Sequence, residues 1–265
     1  MKFSIVTISF NQSIYLQECI NSVLSQKFHS LEYIIVDPGS GDGSRNIIKS
    51  YGDNLLKIFE PDTGPPDGLN KGFNVATGDI YCYLNSDDLL LPGSLQKVAD
   101  YFSSNPDVDI IYGNGKIIDD VSNFKRNVYS DKFNIHAAAY GASLIVQPST
   151  FYRSKIFKSG VMFNVRNKSN WDGELFIDAA LAGAKLLKVN EFFSCYRIHS
   201  DSITGSGRLL EEHSHYTKRM FVKIYKKQFT AMNNFFYYFY KIRKHFLNPI
   251  ATYERFKSGP IFGNH

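Results

Sequence analysis

The hydrophobic positions fall into short apolar runs that each stop at a polar turn and are followed by helical spacing. Phe3 to Ile8 is the first such run, ending at Ser9-Phe10-Asn11, after which Tyr15, Leu16, Cys19, Ile20, Val23 and Leu24 recur with a period near 3.6. A second run, Tyr33 to Val36, stops at Asp37-Pro38-Gly39-Ser40-Gly41-Asp42-Gly43, too rich in Gly, Pro and Asp to continue any element, and a helix from Ser44 to about Tyr51 follows. The third strand, Leu56 to Phe59, leads through Glu60-Pro61-Asp62-Thr63-Gly64 to a helix over about 67–76, and the fourth spans Ile80 to Leu84. Apolar strands alternating with helices predict an α/β chain with a mostly parallel sheet and flanking helices.

Ligands of such sheets bind beyond the carboxyl ends of the strands. Ser9, Asp37, Asp62 and Asn85-Ser86-Asp87-Asp88 each follow a strand, so four polar turns are expected to open onto one rim. Further along, the pattern predicts a helix over 92–102, a strand over 108–112, hairpin-like structure over 113–129, a strand over 144–152 interrupted by Pro148, a helix over 171–182, and two separate strands over 184–189 and 192–198. Beyond Ser206 the chain reads as helical, aromatic and basic. The expected division is 1–206 as one domain, with halves 1–112 and 113–206, and 207–265 as a helical extension.

Composition narrows the function classes. A chain of 265 residues that is 43% hydrophobic can bury a full core, and a formal charge of +5 is too mild to indicate nucleic acid. The positive charge is concentrated in the tail, with eleven Lys and Arg against three Glu over 208–257, and the body before it is acidic. Cys19, Cys82 and Cys195 are odd in number and lack CxxC spacing, which favours neither a disulfide framework nor a zinc site. The N-terminus has no signal-peptide pattern and no apolar run approaches the ~20 residues of a spanning helix, so a cytoplasmic protein is expected.

Two adjacent carboxylates at a strand end, Asp87 and Asp88, repel each other unless a cation or donor groups intervene. Magnesium or manganese suits carboxylate oxygens and leaves room for substrate phosphates. The alternative is a solvated Asp-rich turn capping the next helix. Taken in order, VTISFNQ, IIVDPGSGDGS and EPDTGPPDGLNKGFNVATGDIYCYLNSDD resemble the inverting family 2 glycosyltransferases over roughly residues 1–205. The resemblance implies a GT-A fold and transfer of a sugar from a nucleotide diphosphate to an acceptor hydroxyl.

By that resemblance Ser9, Phe10 and Asp37 hold the nucleoside, Asp62 supplies a second base or ribose contact, and Ser86-Asp87-Asp88, with Asn85 at the first motif position, corresponds to the motif that binds ribose and metal. Asn85 stands where an Asp is commoner, which leaves the metal to Asp87 and Asp88, and Pro38 replaces a frequent second Asp. Lys71, on a helix opened by Asp67-Gly68, offers a cation for phosphate or ribose, with the glycines allowing close backbone approach; a solvent-exposed lysine is the alternative. Inversion needs a general base near the acceptor hydroxyl. Asp172 occupies the family's position for it and Glu174 competes, while both also suit the dipole of a helix N-terminus. His199 in the YRIH segment would complete a metal shell or serve as an ordinary hydrogen-bonded residue, and Arg197 would neutralise the diphosphate. Gln147 resembles the acceptor-side strand, and Trp171 offers a flat ring for a sugar.

The expected partners are a UDP, GDP or dTDP sugar, a divalent cation, and a saccharide or lipid-linked saccharide acceptor of cell-surface polysaccharide assembly. The tail would lie on the inner face of the membrane as an amphipathic helix or pack on the domain. A nucleotidyltransferase would need a glycine- and cation-bearing loop after the first strand, where the chain has Ser9-Phe10-Asn11-Gln12-Ser13. A non-catalytic nucleotide- or sugar-binding module is the remaining alternative.

Overall fold

A computed structural model describes residues 1–199 and 210–259, with side chains from 215 onward in the second stretch. The boundary expected at 206/207 lies outside the described residues. In chain order the elements are β1 (Phe3–Ile8), α1 (Ser13–Leu24), β2 (Leu31–Val36), α2 (Ser44–Ser50), β3 (Leu56–Ile58), α3 (Pro65–Val75), β4 (Ile80–Asn85), β5 (Leu89–Leu90), α4 (Ser94–Ser104), β6 (Ile110–Ile118) and β7 (Phe124–Val128). They continue with α5 (Ile135–Ala139), β8 (Thr150–Arg153), α6 (Lys155–Lys158), α7 (Trp171–Leu181), β9 (Leu186–Arg197), α8 (Leu210–Tyr225), α9 (Asn233–Leu247) and α10 (Pro249–Ser258).

One nine-stranded sheet runs in the order β3-β2-β1-β4-β8-β6-β9-β5, with β7 paired to β6. The first four strands are parallel, and β8 joins antiparallel to β4 and β6. Strands β1, β2 and β4 are buried at nearly every position because helices cover both faces, which explains their continuous rather than alternating apolar sequence. One core face gathers Leu16, Ile20 and Val23 of α1 with Leu95, Val98 and Phe102 of α4. The other gathers Leu69 and Phe73 of α3 with Trp171, Leu175 and Phe176 of α7.

Register positions the site. Ile8 pairs with Val36 on one side and with Asn85 on the other, and Val36 pairs with Ile58. The four parallel strands therefore end at one level, and the turns that follow emerge along one edge.

Three expectations about elements are corrected. Residues 144–146 are not strand: a 3-10 turn occupies Gln147–Ser149 and only Thr150–Arg153 pairs. The two strands expected over 184–198 are the single β9, whose pairing with β6 is shifted between Tyr112 and Gly115. β6 also runs unbroken across position 112, so both halves of the chain share the sheet. The hairpin-like stretch after Tyr112 is the β6–β7 pair.

The C-terminal helices pack on the domain. α8 buries Tyr216, Met220 and Phe221 against Ala138, Ala139, Tyr140 and Ile177. Ala251 of α10 is buried, and Glu254 accepts the Asn127 amide of β7 at 3.3 Å. Among the described residues no helix is long and apolar enough to cross a membrane.

Candidate active site

Beyond the aligned strand ends lies a cleft of about 1030 Å³, lined by Ser9, Phe10, Pro38, Asp62, Asn85, Ser86, Asp87, Gln147, Trp171 and Asp172, among others. Segments more than 160 residues apart in sequence converge here, within the size of sites that enclose small organic ligands.

At the β1 and β2 ends, Ser9 Oγ and Asp37 Oδ2 are buried and find no hydrogen-bond partner among the described residues. The other Asp37 oxygen is saturated, accepting the amides of Gly39 (3.0 Å) and Ser40 (2.8 Å) and Arg45 Nε at 2.9 Å. Buried polar atoms are normally paired, so a free carboxylate oxygen beside the cleft suits an N–H or O–H brought by a ligand. Phe10, 58% exposed, offers its ring at the mouth. Asp62 accepts the Gly64 amide at 2.9 Å, and burial pushes its carboxyl up.

At the β4 end the two adjacent carboxylates part company. Asp87 faces the cleft, and its Oδ2 lies 3.1 Å from His199 Nε2, which β9 delivers. Asp88 is fully buried and turns inward, accepting the Arg197 amide at 3.0 Å and Asn85 Nδ2 at 3.3 Å; burial and the neighbouring Asp87 hold its carboxyl well above the usual range. Asp88 thus shapes the turn, which corrects the expectation that it ligates metal. Among the described residues no group of three or more His, Cys, Asp or Glu gathers as a metal site. Asp87 and His199 fit a hard divalent ion that takes its remaining ligands from phosphate oxygens and water, as magnesium and manganese commonly do.

Arg197 is also corrected. Its guanidinium is fully buried over the Tyr15 ring, donating to the carbonyls of Asp87 (2.8 Å) and Asp119 (2.9 Å), to Ser122 Oγ (3.0 Å) and to Glu18 Oε2 (2.6 Å). With every nitrogen engaged, it anchors the turn after β4, while the residue also lines the cleft. Lys71 does not line the cleft; it donates to the Pro61 carbonyl and lies 3.8 Å from Asp67, bracing the turn that carries Asp62. The α3 glycines allow close approach to the protein itself, for a side chain at Gly68 or Gly72 would strike Asp62 and Ile8, or Val6 and Val36.

At the opposite bank α7 begins. Asp172 lines the cleft, and burial raises its carboxyl, offset in part by the amides of the first helical turn. A carboxylate so placed is a stronger base than a solvated one. Glu174 points elsewhere: it accepts from Asn164 (3.0 Å), Asn167 (2.7 Å), Lys223 (2.9 Å) and Arg219 (3.3 Å). Burial alone would raise its carboxyl, but the hydrogen bonds from Lys223 and Asn164 and the charges of Lys223 and Arg219 lower it. Glu174, expected to compete for the role of base, is therefore a clamp between α7 and α8. Trp171 lines the cleft while packing in the core, and Gln147 Nε2 donates to the Tyr83 carbonyl at 3.0 Å. Lys244 and Arg255 of the C-terminal helices also line the cleft, a contribution that no local pattern around them announces.

Comparison with known proteins follows the same lines. The family model described as Glycosyl transferase family 2 matches residues 4–160. An uncharacterized glycosyltransferase of Nostoc sp. is 31% identical over 211 residues, 75% of this chain and 65% of that protein; the chain thus spans less than two thirds of that relative. Residues 1–349 of TarS from S. aureus, solved with UDP-GlcNAc, superpose with a TM-score of 0.66 at 18% identity over 97% of this chain and 73% of that one. The mannosyltransferase PcManGT of Pyrobaculum calidifontis, solved with GDP-Man and Mn2+, gives 0.64 at 14% identity with the same coverage. These structural likenesses establish a shared GT-A fold.

Proposed function

The chain belongs to glycosyl transferase family 2, and from that premise we propose that it moves a sugar from a nucleotide diphosphate to an acceptor hydroxyl with inversion, aided by a divalent cation. The observation that carries the reading is the placement of Asp172 and Asp87 in one cleft, the first with a raised carboxyl and the second 3.1 Å from His199. Ser9, Phe10, Asp37, Asp62 and the Asn85–Ser86 turn hold the nucleoside, with Asp37 Oδ2 and Ser9 Oγ receiving or donating the hydrogen bonds they lack within the chain. Asp87 and His199 would hold Mg or Mn, which when bound offsets the charge of the leaving diphosphate.

Asp172 takes the proton of the acceptor hydroxyl as that oxygen bonds to the anomeric carbon. The bond from that carbon to the diphosphate oxygen breaks, and its electron pair leaves with the nucleoside diphosphate. Attack opposite the leaving group inverts the centre. Trp171 and Gln147 border the acceptor side. Cell-surface glycan assembly suits the exposed aromatic rows of α9 and α10, interleaved with Lys241, Arg243 and Lys257, which support a peripheral contact with an anionic inner membrane face.

Calorimetry with UDP, GDP and dTDP, with and without Mn, tests the donor half; one nucleotide should bind only with metal. A donor and acceptor screen read by mass spectrometry tests transfer. Metal-independent binding of all nucleotides, or full turnover by Asp172→Asn, overturns the reading.

A further inference from the structure

Lys244 and Arg255 both line the cleft, from two different helices, α9 and α10, and lie close enough for the Arg255 charge to act on Lys244. Both are half-buried, and among the described residues neither forms a salt bridge. The neighbouring carboxylates are committed: Asp131 accepts Asn248 Nδ2 at 2.9 Å and the Leu144 amide at 3.0 Å, and Glu254 accepts the Asn127 amide at 3.3 Å. Burial pushes the Lys244 ammonium towards losing its proton, the Arg255 charge pushes the same way, and the Asp131 charge opposes them in part.

The arrangement is held in place. Asn248, between the two helices, also donates to the Ser130 carbonyl at 3.2 Å, and the Arg126 guanidinium donates to the Gly259 carbonyl just past α10. Ser143 lines the same cleft with its hydroxyl buried and, among the described residues, unpartnered. Two cations whose charges sense each other in a partly desolvated site, offset only in part by Asp131, are unfavourable, and a bound anion relieves the repulsion. The proposed reading assigns the donor diphosphate to other residues, Asp87 and His199.

We infer that Lys244, Arg255 and Ser143 form a phosphate-binding subsite for the acceptor, so that the molecule receiving the sugar carries a phosphate ester close to its reactive hydroxyl. Arg supplies the paired donors that fit a phosphate, and Lys a point charge. The inference rests on the sugar-transfer reading, since it assigns the acceptor of that reaction. The same helices expose Phe246, Leu247, Ile250, Tyr253 and Phe256, which favours a phosphate borne by a lipid over a soluble one.

The test uses the full chain and two phosphate probes. Trp171, the chain's single tryptophan, reports glycerol 3-phosphate by its fluorescence, and co-sedimentation reports phosphatidylcholine vesicles doped with phosphatidic acid against undoped ones. The wild type should bind doped vesicles, and Lys244→Gln/Arg255→Gln should bind them about tenfold or more weakly. Lys244→Arg should retain binding. Lys241→Gln/Lys257→Gln, which removes equal charge from the same helices outside the cleft, should weaken vesicle binding less than Lys244→Gln/Arg255→Gln does and leave glycerol 3-phosphate binding unchanged. Binding of glycerol 3-phosphate with the same dependence on Lys244 and Arg255 supports the subsite and assigns it a free phosphate. Equal losses in the two double variants, unchanged binding by Lys244→Gln/Arg255→Gln, or no binding of either probe by the wild type overturns the inference. Nucleotide binding with Mn is measured alongside: it should survive Lys244→Gln/Arg255→Gln and fail in Asp87→Asn, so a fault in the donor reading shows separately.

Discussion

His199 Nε2 lies 3.1 Å from Asp87 Oδ2, joining the residues just past β9 to the turn after β4 across 112 positions of sequence. The contact holds the end of β9 against a turn that lines the cleft, and in the proposed reading both residues would hold a divalent ion there. Asp87→Asn and His199→Ala should each weaken metal-dependent nucleotide binding by about 10- to 100-fold or more. Calorimetry at fixed Mn measures this, and an unchanged affinity in both variants removes the metal assignment.

Asp172→Asn preserves shape but cannot take a proton. Turnover should fall about 100- to 10,000-fold while nucleotide affinity stays within a few fold. In the wild type the base works when deprotonated, and burial raises its pKa. The rate should therefore decline as pH falls through a value above the ordinary ~3.9 of an aspartate. An acid limb at or below that ordinary value would contradict the assignment.

Glu174→Gln should behave in the opposite way, losing stability but not chemistry. The substitution leaves Arg219 and Lys223 without their shared anion, although Lys223 keeps Asp178 at 2.5 Å, so a loss of about 1–3 kcal/mol is expected from urea unfolding. The folded-state pKa of Glu174 is lowered. Its contribution is thus complete above the unfolded value near ~4.3 and disappears as pH falls through the lower folded value. The wild type should show that acid-side loss and the variant should not.

Gly72→Ala examines how α3 packs on the sheet. A methyl there would press on both Val6 methyls and on Val36, at the centre of one core face. About 1–3 kcal/mol should be lost, with the midpoint of denaturation falling and nucleotide binding by the folded fraction unchanged. A neutral result would show that α3 can withdraw from β1 at little cost.

Much of the donor side was legible because parallel strands impose a simple geometry. Each apolar run marks a buried strand, each polar break marks its end, and the matched ends of β1, β2 and β4 bring Ser9, Asp37 and Asp87 to one edge. What failed were direction and company. Asp87 and Asp88 are neighbours in sequence, yet one faces the cleft and the other pairs with Arg197. Lys71 and Arg197 read as phosphate ligands because a cation near acidic turns suggests anions, whereas both are consumed by backbone carbonyls and, for Arg197, by Glu18.

The acids of α7 show the division most clearly. Asp172 and Glu174, two positions apart, stand about 200° from each other around a helix, so they cannot serve the same surface. Sequence by itself determined that acids begin this helix, that the preceding strands are parallel and buried, and that their polar ends share a rim, because these follow from local periodicity and chain connectivity. Only the tertiary structure decided which acid meets the cleft and which meets α8, and that Lys244 and Arg255 reach the cleft. Those outcomes depend on how separate helices dock, and docking is set by the combined packing of residues that no local pattern brings together.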